Sequence, residues 1–110
     1  MQRNVFTHEL RTDWASSILA PPDQLVARAE VLAATGVDGI FTFEGPHDVF
    51  FPLVAAAGTG CDLYTNVAIA FPRSPMHLAH QAWDLSTMSG GRFALGLGTL
   101  GALITTLTVG

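Results

Sequence analysis

Three glycines near the end of the sequence have the spacing of a phosphate-binding motif. Gly96, Gly98 and Gly101 form the pattern G-x-G-x-x-G, which binds a dinucleotide where it joins a strand to a helix whose N-terminal amides face the pyrophosphate. The apolar segment 93–97 before the glycines is typical of a strand, but the segment 102–109 after them is rich in β-branched residues that disfavour a helix. No acidic residue for the ribose hydroxyl follows the motif. The motif therefore does not predict a dinucleotide site.

A second set of polar side chains has the spacing of metal ligands on a helix. His77, His80 and Asp84 occupy positions i, i+3 and i+7 of a helix that Ser74 and Pro75 are well suited to begin. They share the face opposite the apolar residues of that helix, which are Met76, Leu78, Ala79, Ala82, Trp83 and Leu85. We therefore expect them to face solvent, and the sequence predicts no metal site.

The composition indicates one small globular domain without a nucleic-acid-binding surface. Of the 110 residues, 49% are hydrophobic and 13% are charged, with a formal net charge of −4, which disfavours disorder. The basic residues are five scattered arginines, so a polyanion-binding patch is not predicted. Cys61 is the only cysteine, which excludes a disulfide framework and favours a reduced, cytoplasmic setting.

Strands and helices are predicted to alternate along the chain. Alternation of this kind implies parallel strands with right-handed helical crossovers, and hence an α/β fold with all three helices on one side of the sheet. A short strand is predicted at 4–8 and a polar loop at 11–22. Further strands are predicted at 38–43, 63–71 and 93–98, and helices at 23–35, 52–57 and 74–88. The first helix is expected to bury one face formed by Leu25, Val26, Ala29, Leu32 and Ala33.

Two long motifs resemble one known family. The segments GVDGIFTFEGPHD (36–48) and NVAIAFPRSPMHLAHQAWDLSTMSGGRFALGLGT (66–99) resemble the bacterial luciferase-like monooxygenase family, in particular its branch that uses the deazaflavin coenzyme F420. The resemblance implies a (β/α)8 TIM barrel with cofactor and substrate at the carboxyl ends of the strands. Because a complete barrel needs about 250 residues, residues 1–99 are expected to form its N-terminal half, followed by a divergent hydrophobic tail at 100–110.

The resemblance also implies catalytic roles at the ends of the first two strands. Glu44 matches an acidic position that lines the coenzyme pocket, where many relatives continue with a catalytic histidine. Gly45 follows in this sequence, so His47 is the candidate for proton transfer. His8, at the end of the predicted first strand, is the candidate for contact with substrate. Without the resemblance, both histidines would be interpreted as ordinary loop residues.

Cofactor-binding positions are implied at the ends of the next two strands. Thr65 and Asn66 match the place of a non-prolyl cis peptide bond under the coenzyme ring, and Ala68 matches a residue that lines the ring. Gly98 and Thr99 lie at the end of the predicted fourth strand. Gly96 and Gly98 are accordingly interpreted as glycines of a barrel strand.

The implied reaction is hydride transfer between F420 and a small organic substrate, with FMN as the alternative cofactor. The incomplete barrel is expected to be inactive by itself and to associate through exposed sheet edges, unless it pairs with another chain to rebuild a site. A different hypothesis is a small non-enzymatic membrane or interaction protein. It rests on the uncharged segment 93–110, which just reaches the length of a spanning helix but has the glycines and threonines of a strand.

Overall fold

Four parallel strands form the main sheet of the computed structural model, which describes residues 14–99. They are Ala15–Ser17 (β1), Gly39–Thr42 (β2), Asp62–Thr65 (β3) and Phe93–Ala94 (β5), adjacent in the order β1-β2-β3-β5. Every pair is parallel. The predicted parallel sheet in sequence order is therefore confirmed.

A second, two-stranded parallel sheet continues two of these strands. It pairs Ala68–Ile69 (β4) with Leu97–Gly98 (β6). The sequence predicted single strands at 63–71 and 93–98, and each is instead divided in two. The division arises where the Thr65 hydroxyl donates to the Gly96 carbonyl at 2.7 Å and accepts from the Gly96 amide at 2.8 Å. The Thr65 side chain thus takes the place of a backbone partner in the hydrogen bonds of Gly96, and the strand ladder is interrupted there.

Three helices connect the strands close to their predicted positions. They are Leu25–Ala34 (α1), preceded by a 3-10 turn at Pro22–Gln24, then Phe51–Ala56 (α2) and Pro75–Met88 (α3). The Ser74 hydroxyl accepts a hydrogen bond from the His77 amide at 3.5 Å, as expected of an N-cap residue. Sequence reasoning therefore predicts α3 almost to the residue.

The core lies between the sheet and the helix layer. Ile40, Leu63 and Phe93 sit at paired positions of β2, β3 and β5 and are almost fully buried. They share one cluster with Leu53 of α2 and Leu85 of α3. Since paired positions of parallel strands face the same side, the helices cover one face of the sheet. Burial of each such side chain contributes about 1.5–3 kcal/mol to folding.

Two helices bury a narrower face than the sequence predicts. On α3, Leu78 and Leu85 are buried, whereas Met76 and Trp83 are 66% and 75% exposed. On α1, Val26 is likewise exposed. The prediction that these three residues and Ala79 of α3, which is also exposed, belong to the buried faces is wrong. A helix lying on the outside of a sheet buries only the stripe that touches the strands.

The first described strand lies where the sequence predicted a loop. Residues 11–22 include β1, whose residues Ala15 and Ser17 pair with Gly39 and Phe41 of β2. The serines of β1 carry no apolar signal, but an edge strand needs backbone pairing more than apolar side chains, and the following Ile18 is buried. The strand predicted at 4–8 lies outside the described residues.

The described residues form an open α/β layer that corresponds to the first part of a (β/α)8 barrel. β1 and β5 each have one neighbouring strand within residues 14–99, so this part of the chain does not close on itself. None of the helices between residues 14 and 99 has the length and apolar character to span a membrane.

Candidate functional site

The carboxyl ends of the strands bring most of the candidate residues to one edge of the sheet. Glu44 follows β2, Asn66 follows β3, and Thr99 follows β6. Because parallel strands end on the same side, the loops after them are neighbours. The Asn66 amide donates to the Thr42 carbonyl at 2.7 Å, and the Glu44 amide donates to the Val67 carbonyl at 3.3 Å. The loops after β2 and β3 are therefore joined through their backbones.

The Glu44 carboxylate is held by two partners on the neighbouring segment. Its Oε1 atom accepts from the Ile69 amide at 2.9 Å and from Nη1 of Arg73. Both side chains are about 20% exposed. A half-enclosed ion pair is screened less by salt than a fully exposed one. Glu44 is thus an anchored carboxylate that ties the end of β2 to β4.

Arg73 was not a candidate in the sequence analysis, yet it completes this cluster. Its Nη1 atom also donates to the Ile69 carbonyl at 2.6 Å, and its guanidinium carbon lies 5.5 Å from the centre of the Phe50 ring. That distance is within the range of a cation–π contact. The sequence contains one indication of this pair: the glutamate and the arginine each follow the end of a predicted strand, and the ends of parallel strands lie at the same edge of the sheet.

His47 lies in the loop between β2 and α2, with its side chain exposed. The same loop is shaped by Asp48, whose Oδ2 atom accepts from the amides of Phe50 and Phe51 at 2.7 and 2.8 Å. These bonds hold the start of α2, so the residue next to His47 is fixed. The ring borders a small hollow whose apolar wall includes Ile18.

The predicted cofactor residues Thr65, Asn66 and Ala68 differ in their exposure. Thr65 and Ala68 are both buried, and the Thr65 hydroxyl is bonded to the Gly96 backbone. Asn66 is exposed at the edge. The non-prolyl cis peptide bond lies between Asn66 and Val67, one residue later than predicted. Thr65 still belongs to β3, where it pairs with Thr42.

The glycines of the phosphate-like motif serve the packing of strands. A Cβ atom on Gly96 would lie 2.2 Å from the Thr65 carbonyl oxygen, so the close approach of these two segments requires glycine. Gly98 accepts through its carbonyl from the Ala70 amide at 3.0 Å, and Thr99 beyond it is exposed. Gly98 lies in β6, as interpreted, whereas Gly96 lies in the break between β5 and β6, where it contacts Thr65. Gly101 lies outside the described residues.

The sheet face opposite the helices carries two stacked aromatic rings. Phe41 and Tyr64 are paired across β2 and β3, with ring centres 5.4 Å apart and planes inclined by 26°. Burial raises the pKa of the Tyr64 hydroxyl above its ordinary value, because the charged phenolate is disfavoured away from water. The sheet face opposite the helices therefore presents an aromatic surface next to the carboxyl edge.

The three polar candidates on α3 do not join this edge. His77, His80 and Asp84 are all exposed on α3, as predicted, and no group of three His, Cys, Asp or Glu side chains between residues 14 and 99 is arranged to hold a metal. His8 lies outside the described residues.

The fold agrees with the comparison to known proteins. Residues 1–110 match the luciferase-like monooxygenase family, and the chain belongs to that family. It is 47% identical over 83 residues to the uncharacterized proteins Rv1360 of Mycobacterium tuberculosis (strain H37Rv) and Mb1395 of Mycobacterium bovis. The match covers 71% of this chain and 24% of each relative. The chain thus spans about a quarter of the length of the curated relatives that it matches.

Proposed function

We propose that this chain supplies the first strands and helices of an F420-dependent oxidoreductase, which transfers hydride between the deazaflavin and a small organic substrate. The observation that carries the proposal is the joined carboxyl edge. Glu44, Asn66 and Thr99, which come from three separate segments of the sequence, follow the strand ends there. In barrels of this class the cofactor and substrate bind at that edge.

The residues at this edge suit the ring of the coenzyme. A flat tricyclic ring needs apolar surface together with a few polar groups at its rim. Phe43 and Leu97 are 36% and 48% exposed beside the strand ends, and Asn66 and Thr99 supply polar side chains. The phosphate of the coenzyme needs cations or helix N-termini. Arg73 already pairs with Glu44, so we assign the phosphate to the part of the barrel beyond residues 14–99.

The deazaflavin, when bound, would carry the hydride. In the proposal His47 exchanges the accompanying proton through an imidazole nitrogen, since its exposed ring lies in the loop after β2 and an imidazole can both donate and accept a proton. Glu44 holds the Ile69 amide and so fixes the segment that would support the ring. His8 remains the proposed contact with substrate.

FMN is the alternative cofactor, because its ring has the same flat shape and would use the same edge. The proposal also includes a cytoplasmic location. We propose further that the 110-residue chain alone binds neither cofactor tightly and self-associates. Within residues 14–99 each outer strand of the main sheet has one neighbouring strand, and the face bearing Phe41 and Tyr64 has no covering layer among these residues, so edges and face are open to association.

Fluorescence titration with F420 and with FMN tests the proposal in two proteins. One is the 110-residue chain. The other is a protein that we call the barrel chimaera, in which the matched 83-residue segment of Rv1360 is replaced by the corresponding residues of this chain. We expect micromolar binding of F420 by the barrel chimaera, weaker binding of FMN, and no micromolar binding by the chain alone.

Light scattering on the same samples measures self-association. Tighter binding of FMN than of F420 would transfer the proposal to the flavin branch of the family. Binding of neither cofactor by a folded barrel chimaera would contradict the proposal. Micromolar binding by a monomeric 110-residue chain would contradict the need for a longer barrel.

A further inference from the structure

Arg73 is enclosed on three sides by groups that fix its guanidinium. Nη1 donates both to the Glu44 carboxylate and to the Ile69 carbonyl, while the Phe50 ring lies 5.5 Å from the guanidinium carbon. The side chain is about 20% exposed. An arginine held in this way has lost most of its rotamer freedom and is suited to orient a partner.

The group that Arg73 orients is the Glu44 carboxylate. A glutamate at the end of a strand has several rotamers, and one hydrogen bond from the Ile69 amide selects among them only weakly. The charge-assisted bond from Arg73 to the same oxygen, Oε1, adds to that selection. Because Nη1 also bonds the Ile69 carbonyl, both backbone groups of Ile69 are engaged by the ion pair.

We propose that Arg73 is a positioning residue of the candidate site. It fixes Glu44 on Ile69 and thereby holds segment 66–69 against the end of β2, in the place where the coenzyme ring would rest. Arg73 acts through Glu44 and need not touch the coenzyme. The inference that segment 66–69 contacts a coenzyme rests on the proposed function, whereas the positioning of Glu44 and Ile69 does not.

The chain offers a matched control at the opposite end of the sheet. Arg92 pairs with Asp62, with 3.5 Å between Nη1 and Oδ1, and Arg92 precedes β5 while Asp62 begins β3. The Arg92 side chain is 24% exposed, close to the value for Arg73. Replacement of either arginine by methionine removes the charge and keeps an apolar stem.

The first measurement is hydrogen exchange of the peptide that contains Ile69, followed by mass spectrometry in the full 110-residue chain and in the barrel chimaera. We expect R73M to speed exchange of that amide about tenfold, the order expected when a charge-assisted bond is lost. R73K should fall between R73M and the original chain, since it keeps the charge without the planar fork. R92M should leave the Ile69 peptide unchanged.

The second measurement is the Kd for F420 in the barrel chimaera, together with Tm. We expect R73M and E44Q each to weaken F420 binding about tenfold, and the double variant E44Q/R73M to weaken it no further than one of them alone. R92M should lower Tm at least as much as R73M without changing Kd.

Unchanged Ile69 exchange in R73M would overturn the positioning role, as would an equal effect of R92M on Ile69 or on Kd. Additive effects of E44Q and R73M would overturn the claim that Arg73 acts through Glu44. If the barrel chimaera binds no F420 or FMN, the proposed function and the coenzyme contact both fail, and hydrogen exchange still decides whether Arg73 positions Glu44.

Discussion

Among residues 14–99, an arginine–carboxylate pair lies at each end of the main sheet, and the two pairs are built differently. At the amino end, Asp62 is 1% exposed and lies 3.5 Å from Arg92. At the carboxyl end, Glu44 and Arg73 are both partly open to solvent and bind the backbone of Ile69.

We interpret this difference as a folding role for the Asp62 pair and, under the proposed function, a site role for the Glu44 pair. A carboxylate buried like Asp62 must keep its partners or the fold loses stability. A carboxylate like Glu44, accessible beside exposed loops, is placed to shape a binding surface. The division agrees with the general behaviour of barrels, in which the amino ends of the strands serve stability and the carboxyl ends serve function.

The largest expected loss of stability is that of Gly96→Ala, which tests whether the close contact between Gly96 and Thr65 near the carboxyl edge is needed for folding. In Gly96→Ala, the new Cβ would lie 2.2 Å from the Thr65 carbonyl oxygen, so β3 and the segment before β6 must separate. We expect a loss of about 3 kcal/mol in the free energy of unfolding, measured by urea unfolding of the barrel chimaera. The control is Gly58→Ala, because a Cβ there meets nothing within 4 Å; equal stability of both variants would disprove the close contact.

The next prediction tests the comparison of the two pairs directly. Asp62→Ala removes a carboxylate that is 1% exposed and should cost about 2–3 kcal/mol of unfolding free energy. Glu44→Gln should cost about 1 kcal/mol or less, because the amide oxygen can still accept from Ile69 and water reaches the site. Urea unfolding of the two variants in the barrel chimaera measures the difference. A greater loss in Glu44→Gln would reverse the roles assigned to the two ends.

A smaller effect is expected from the Thr65 hydroxyl at the carboxyl end of β3. Thr65→Val keeps the shape of the side chain but leaves the Gly96 amide and carbonyl without their bonds at 2.8 and 2.7 Å. We expect a loss of about 1–2 kcal/mol, again by urea unfolding. Thr59→Val, whose hydroxyl bonds the Ala56 carbonyl at the end of α2, is the control and should lose less, since Thr59 is more accessible.

The smallest effect concerns the pH dependence of stability. Burial raises the folded-state pKa of Tyr64 above its unfolded value of about 10. The unfolded chain therefore loses the phenolic proton first, so this contribution to stability is complete below about pH 10 and is lost as pH rises through the folded pKa. Tyr64→Phe should show a shallower loss of stability above about pH 10 and an unchanged slope at neutral pH. Parallel curves for both proteins would contradict burial of this hydroxyl.

The sequence predicts the elements whose capping residues and apolar patterns agree with the tertiary contacts that the elements make. α3 has a capping serine, a proline at its first position and a terminating Ser-Gly-Gly segment, and the structure follows all three. The compact apolar segment 38–43 predicts a strand in the same way, and β2 lies within it. The order of the parallel strands then follows from the alternation of strands and helices.

The remaining features depend on tertiary contacts that no local pattern records. β1 is polar and forms because β2 offers a free edge. β3 and β4 are separated by the contact between Thr65 and Gly96, residues that are distant in sequence. The resemblance identified Glu44, but its partner Arg73 lies 29 positions away and is recognised only when both strand ends are seen together. The exposure of Trp83 follows from the narrow contact of α3 with the sheet.

The central claim is that the carboxyl edge, and not the amino edge, is the coenzyme site. Hydrogen exchange of the barrel chimaera with and without saturating F420 tests it most directly. The account predicts that F420 protects peptides covering 43–48 and 66–71 and leaves peptides covering 58–62 and 88–92 unchanged. Protection confined to the amino-edge peptides, or no protection within residues 14–99 at saturating F420, would contradict it.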